Sequence, residues 1–155
     1  MKISISDQKK YPNFTKYVRR QLPKLKGVPK VIRNLNNSGH LDEKEAASAL
    51  TWGNLPLIRI TDLYSGQCGV PKAYGCFRHK NKDRIEIHTQ IVKDFENIAA
   101  GITNKNKKGK ALYVVGATLL HELCHWGNYN NSPRVIETKE MGANFEKRTY
   151  GKIIY

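Results

Sequence analysis

Ala111-Leu112-Tyr113-Val114-Val115-Gly116-Ala117-Thr118-Leu119-Leu120-His121-Glu122-Leu123-Cys124-His125-Trp126 is the most apolar stretch of the chain. It contains no proline and reads as a buried helix over residues 111–126, with Gly127-Asn128 as its C-cap. On such a helix two histidines four apart differ by about 40° around the axis and lie one turn apart along it. Both imidazoles then reach one tetrahedral ion at about 2 Å. Glu122 projects about 100° from the first histidine. It therefore stands beside the ion, placed to take a proton from metal-bound water. A chance His-Glu-x-x-His arises in a chain of this composition on the order of once in a hundred. Two histidines and a glutamate in an apolar helix would also be costly polar groups without a ligand. The expected chemistry is Zn2+ held by His121 and His125, with Glu122 as general base.

A zinc hydrolase needs a third protein ligand. Positions 128 and 131 are both Asn, so a third histidine at the usual downstream spacing is excluded. A helix expected over residues 135–150, ending at Gly151, offers Glu137, Glu140 and Glu146. Glu140 comes first. Asn144 would share its face and could hydrogen-bond a ligand histidine, and Met141-Gly142 permits close helix packing. Glu137 and Glu146 are the alternatives. An oxyanion donor is also needed, and Tyr150, Arg134, His88 and Tyr129 are candidates. Tyr150 and His88 lead because each adjoins a segment expected to line the cleft.

Upstream, residues 11–22 read as a helix with Phe14, Val18 and Leu22 on one face, broken by Pro23. Residues 28–35 suggest a short helix, 34–39 a turn, and 42–51 a helix with Ala46, Ala49 and Leu50 inward. Strands are expected at 57–60, 74–77 and 84–88, with loops at 66–75 and a charged turn at 79–83. The last of these strands could offer an edge to an extended peptide. Thr89 is expected to cap a helix reaching Ala99, with Ile91, Val92 and Phe95 as its apolar stripe. Residues 101–110 and 128–133 read as polar loops. The sum is an α+β domain, mostly helical with a small antiparallel sheet. It is expected to be a single domain over residues 1–155, with a helical part at 1–51 and a catalytic core at 52–155.

Composition sets the frame. The 155 residues suffice for one core, and no apolar run reaches the length of a membrane span. No secretory signal peptide is read at Met1-Lys2-Ile3-Ser4, so export would need another route or a larger parent chain. The net charge of +14 favours anionic partners: nucleic acid, an anionic envelope surface or an acidic protein. Cys68 and Cys76 could pair in an oxidising compartment, while Cys124 reads as a small buried hydrophobe. Residues 34–45 carry polar groups, Gly39 and Glu45 at EF-hand positions, which raises a weak calcium site. At the ligand positions only Asp42 and Glu45 bring charge, so a glycine turn followed by an N-capped helix is the simpler expectation.

Leu119 to Gly127, followed by Glu140-x-Gly142-x-x-Phe145-Glu146-x-x-x-Tyr150-Gly151, resembles the metallopeptidase toxin domains of bacterial polymorphic and type VI secretion effectors. The domain at the C-terminus of some VgrG spike proteins is similar. Ile85-Glu86-Ile87-His88 and Ile91-Val92-x-x-Phe95-Glu96 resemble the strand and helix preceding the active helix in that group. The resemblance implies a zincin fold of gluzincin type, with His121, His125 and a downstream glutamate on zinc and Glu122 as base. It also implies a protein or peptide substrate, delivery into a target cell or its periplasm, and a cognate immunity protein. A monomer without specific nucleic-acid binding is expected. The competing readings are a basic metal nuclease and an inactive zincin that only binds.

Overall fold

The computed structural model describes residues 1–66, 68–101, 108–132 and 140–154, and of residues 108–109 the backbone alone. The N-terminal part is β1 (Lys2–Ile3), α1 (Ile5–Lys10), α2 (Pro12–Arg20), a 3-10 turn (Leu22–Gly27), α3 (Pro29–Gly39) and α4 (Glu43–Leu50). Then come β2 (Leu57–Thr61), β3 (Gly75–Cys76), a short 3-10 turn (His79–Asn81), β4 (Arg84–His88), α5 (Thr89–Ala99), α6 (Lys108–Asn131) and α7 (Met141–Tyr150). The balance of helix and sheet is that of an α+β fold. No helix among the described residues is long and apolar enough to cross a membrane.

The sheet has the order β1-β2-β4-β3. It is not the antiparallel sheet expected. β1 pairs β2 and β2 pairs β4 in parallel, with Ile58 opposite Ile85 and Ile60 opposite Ile87. Only the short β3 is antiparallel to β4. Strand composition signals extended backbone, but direction depends on the connection. Here long connections through residues 4–56 and 62–83 bring the chain back to start each parallel strand from the same end. It follows that β4 is an interior strand, and the edge that sequence placed at residues 85–88 belongs to β3.

Strand alternation turns Ile58, Ile85 and Ile87 to one face, where they are fully buried in the main core. α5 and α6 pack on that side. Cys76, Glu86 and His88 alternate to the other face, where Leu63, Ala73 and Cys76 form a small second cluster. The α2 stripe of Phe14 and Val18 enters the main core with Leu22. Glu96 of α5 anchors the start of α2, accepting from the Phe14 N–H at 2.6 Å and from Asn13 Nδ2 at 2.9 Å. The α5 cap is one residue earlier than expected: His88 holds the N-cap position and Thr89 is already helical.

Two glycine signals were misread for one reason. Gly39 does not end in a turn at residues 34–39, because α3 continues through it and terminates on His40 in the left-handed region. Gly127 is not a C-cap, because α6 runs on to Asn131 and the loop expected from residue 128 is helical up to that point. The two glycines form the crossing of α3 with α6. A Cβ on Gly127 would fall 2.4 Å from the Gly39 carbonyl oxygen and 2.5 Å from Leu41 Cγ. A glycine selected for close helix approach looks, in sequence, like one selected for a cap.

The same helix removes the calcium loop. Asn34 to Gly39 are helical, and Asp42 and Glu45 form a capping box, with bonds of 2.9 and 2.8 Å. Glu45 also accepts from Asn131 Nδ2 at 3.0 Å. The N-capped helix that sequence offered as the simpler alternative is present.

Gly127→Ala supplies a sign test. In an exposed helix interior the change would add roughly 1 kcal/mol of stability. At this crossing it is expected to remove roughly 1–3 kcal/mol, read as a lower urea midpoint.

Candidate metal centre

α6 presents His121 and His125 one turn apart, their ring centroids 5.1 Å from each other. His121 is buried and His125 half-buried. Glu140 is the N-cap of α7, its side chain accepting from the Ala143 N–H. Its Oε1 lies 3.1 Å from His121 Nε2 and also contacts His125 Nε2. The three side chains each offer one ligand atom, and these atoms all lie within 4.8 Å of one another. Two imidazole nitrogens and a carboxylate oxygen are a donor set that suits a divalent metal such as zinc.

Gly142 lets α7 come this close. A Cβ there would meet the His121 ring at 2.2–2.5 Å. The ring is also held from behind. Its Nδ1 lies 2.6 Å from Glu146 Oε1, and Glu146 is fully buried. Its second oxygen accepts from the Ile154 N–H. A proton on Nδ1 donated to Glu146 turns Nε2 towards Glu140 and His125. Sequence considered Glu146 as a metal ligand or a surface carboxylate, and gave support of a histidine to Asn144. The structure places Glu146 on the far nitrogen of His121, and Asn144 Nδ2 contacts Met141 Sδ at 3.7 Å. The missed signal was spacing: Glu146 is four residues after Gly142 and so shares the face that touches His121.

Glu122 is only 3% exposed. It lies beneath β3, where a Cβ on Gly75 would stand 2.7 Å from its Cγ and Oε1 and 2.8 Å from Thr118 Cγ2. Edge strand and α6 meet there without an intervening side chain.

His88 and Tyr150 are positioned by contacts of their own. Strand alternation turns His88 to the outer face of the sheet, where its Nδ1 accepts from the Leu63 N–H at 3.0 Å and its ring stacks on Tyr64 at 3.6 Å. Burial lowers its pKa against the opposing charges of Asp62 and Asp94. Tyr150 packs edge-on against Tyr113 and Phe145. Tyr113 precedes His121 on α6 by about 12 Å along the axis. Burial raises the Tyr150 pKa, as do the neighbouring Tyr17, Tyr113 and Glu146. Tyr129 stacks on His79 at 4.3 Å, one turn beyond His125. Glu137 and Arg134 lie outside the described residues, as do most of the 101–110 loop and the expected helix start at 135. Cys68 and Cys76 are disulfide-bonded, and Cys124 is buried and outside that disulfide.

The acidic groups dominate the electrostatics. Burial alone would lower the His121 pKa, but hydrogen bonds to Glu140 and Glu146, with the Glu122 charge, push it up to about 9. Burial alone would raise Glu140, but hydrogen bonds to His121 and His125 hold it well below the carboxylate range.

The family model described as metallopeptidase toxin 3 matches residues 7–151. No curated protein and no solved structure matches the chain.

The pKa directions fix how the metal-free chain responds to pH. A raised His121 stabilises the fold fully below its ordinary 6.5, and this is lost as pH rises through about 9. A depressed Glu140 stabilises it above its ordinary 4.5, and this is lost at lower pH. Urea midpoints of the metal-free protein are expected to peak between those ordinary values and to decline towards pH 9. In Glu140→Gln the alkaline decline is expected to be smaller and to end at lower pH.

Proposed function

The chain belongs to the metallopeptidase toxin 3 family, and on that premise we propose that it is a zinc-dependent peptidase acting as a toxin in the cell that receives it. His121, His125 and Glu140 hold the metal and Glu122 is the general base. The observation that carries this reading is the convergence of three ligand atoms within 4.8 Å, two from α6 and one from the N-cap of α7. Three protein donors would leave a bound zinc open to water or substrate, as in catalytic zinc sites. A HExxH helix covered by a sheet edge, with its glutamate ligand on a later helix, supports a zincin-like arrangement of gluzincin type.

Bound zinc would polarise the scissile carbonyl and make water easier to deprotonate. The remaining work falls to side chains. Glu146 fixes the ring plane of His121 and keeps its proton on Nδ1, so that Nε2 is always the ligand nitrogen. Glu122 accepts the proton of the attacking water and passes it to the leaving amine. Its position one residue after His121, under the Gly75 backbone, holds it beside the ligand set and outside it. Peptide hydrolysis in a cell that did not make the chain accounts for toxicity.

Metal analysis of purified protein is expected to give one zinc per chain, lost in the His121→Ala, His125→Ala double variant. Glu122→Gln is expected to keep its zinc and to hydrolyse protein substrates roughly 10²–10⁴-fold more slowly. A zinc-replete Glu122→Gln chain that remains fully toxic would overturn the catalytic reading. Glu146→Gln is expected to weaken zinc affinity by about 10–100-fold, measured by competition with a chelator.

A further inference from the structure

We propose that the Cys68–Cys76 disulfide is a redox switch on this site, clamping β3 over Glu122 so that the chain is active when the pair is oxidised. The inference rests on the reading of Glu122 as general base. β3 is only two residues long and is held to β4 by two register pairs. Its first residue, Gly75, is the one pressed on Glu122 and Thr118. Its second, Cys76, turns to the opposite face and carries the disulfide to Cys68. The apolar support on that face is slight, being Leu63, Ala73 and Cys76 with Cys68 packed against them. Two ladder pairs and so small a cluster are weak restraints on an edge strand. The disulfide is the covalent restraint, one residue from the contact with the base.

Access is asymmetric. Cys76 is 3% exposed, while Cys68 is half-exposed. A thiolate from a small monothiol therefore attacks Cys68 Sγ. A mixed disulfide forms there and Cys76 leaves as a thiolate that takes up a proton. A second monothiol attacks the mixed disulfide, releasing Cys68 as a thiol and leaving the two small thiols joined as their own disulfide. Two electrons pass from the monothiols to the protein pair. None of His121, His125 and Glu140 lies on β3 or on residues 62–74, so reduction frees the strand and leaves the metal set in place. The reducing cytosol then keeps the base uncovered and misplaced, and an oxidising compartment such as the periplasm restores it.

The test equilibrates the zinc-loaded full chain in glutathione buffers from oxidising to reducing, with thiol state read by alkylation and mass spectrometry. On reduction, zinc is expected to stay at one per chain and hydrolysis of a protein substrate to fall about 10–100-fold. Exchange of the His88 amide, which donates to the Tyr74 carbonyl, is expected to speed at least about tenfold. The Cys68→Ala, Cys76→Ala chain should match the reduced protein and ignore the buffer; if it does not fold, the titration of the native chain decides. Equal hydrolysis and equal exchange in both states would overturn the switch, as would loss of zinc together with the disulfide. An oxidised, zinc-loaded chain that hydrolyses nothing would remove the peptidase reading and the switch with it, whereas full hydrolysis in both states would remove the switch alone.

Discussion

α6 must bury one histidine and a glutamate, and half-bury a second histidine, against an apolar core. Polar groups without partners would cost several kcal/mol there. The rest of the fold can be understood as the supply of those partners. α7 brings two carboxylates to His121, one on each ring nitrogen. β3 brings backbone to Glu122, and α3 brings backbone to the far end of α6. None of these approaches is possible past a side chain. Gly142 sits against His121, Gly75 against Glu122 and Gly127 against the Gly39 carbonyl. Glycine at the contact is what allows a single helix to be crowded from three sides while its polar residues remain satisfied.

This explains which parts of the architecture were legible beforehand. Residues 121, 122 and 125 declare themselves because helix geometry alone places them, with no need for a tertiary partner. The apolar stripe of Phe14, Val18 and Leu22 follows from local periodicity in the same way. Glu140 was legible only as the best of three, since its position depends on how α7 docks. Strand direction was hidden because a five-residue strand such as Arg84–His88 has the same composition whichever way its neighbour runs. Gly127 misled because cap and crossing share one signal. For His88 and Tyr150, adjacency to the cleft in sequence says nothing of which face of the strand or helix a side chain takes.

The family match extends the conclusion beyond the ligand helix. It covers residues 7–151, so α2 to α4 belong to the matched unit as much as the HExxH segment does. The structure gives a reason. Leu35 of α3 and Leu41 share the main core with Leu119, Leu123 and Phe145, and Asn34 Nδ2 donates to Thr149 Oγ1 at 3.1 Å. Removal of the helical first third would leave the α3 side of α6 and α7 exposed.

One feature of α7 bears on the order in which the chain is made. Its residues supply both the carboxylate at Nε2 and the carboxylate at Nδ1 of His121, and the second also secures the backbone at Ile154. A nascent chain that has emerged only as far as α6 has the two imidazoles without Glu140 or Glu146. The ribosome that synthesises this protein therefore holds His121 without either carboxylate partner until α7 has cleared the exit tunnel. On the proposed reading, prematurely terminated products lacking α7 would also lack the third metal ligand, a consequence of the order of the elements along the chain.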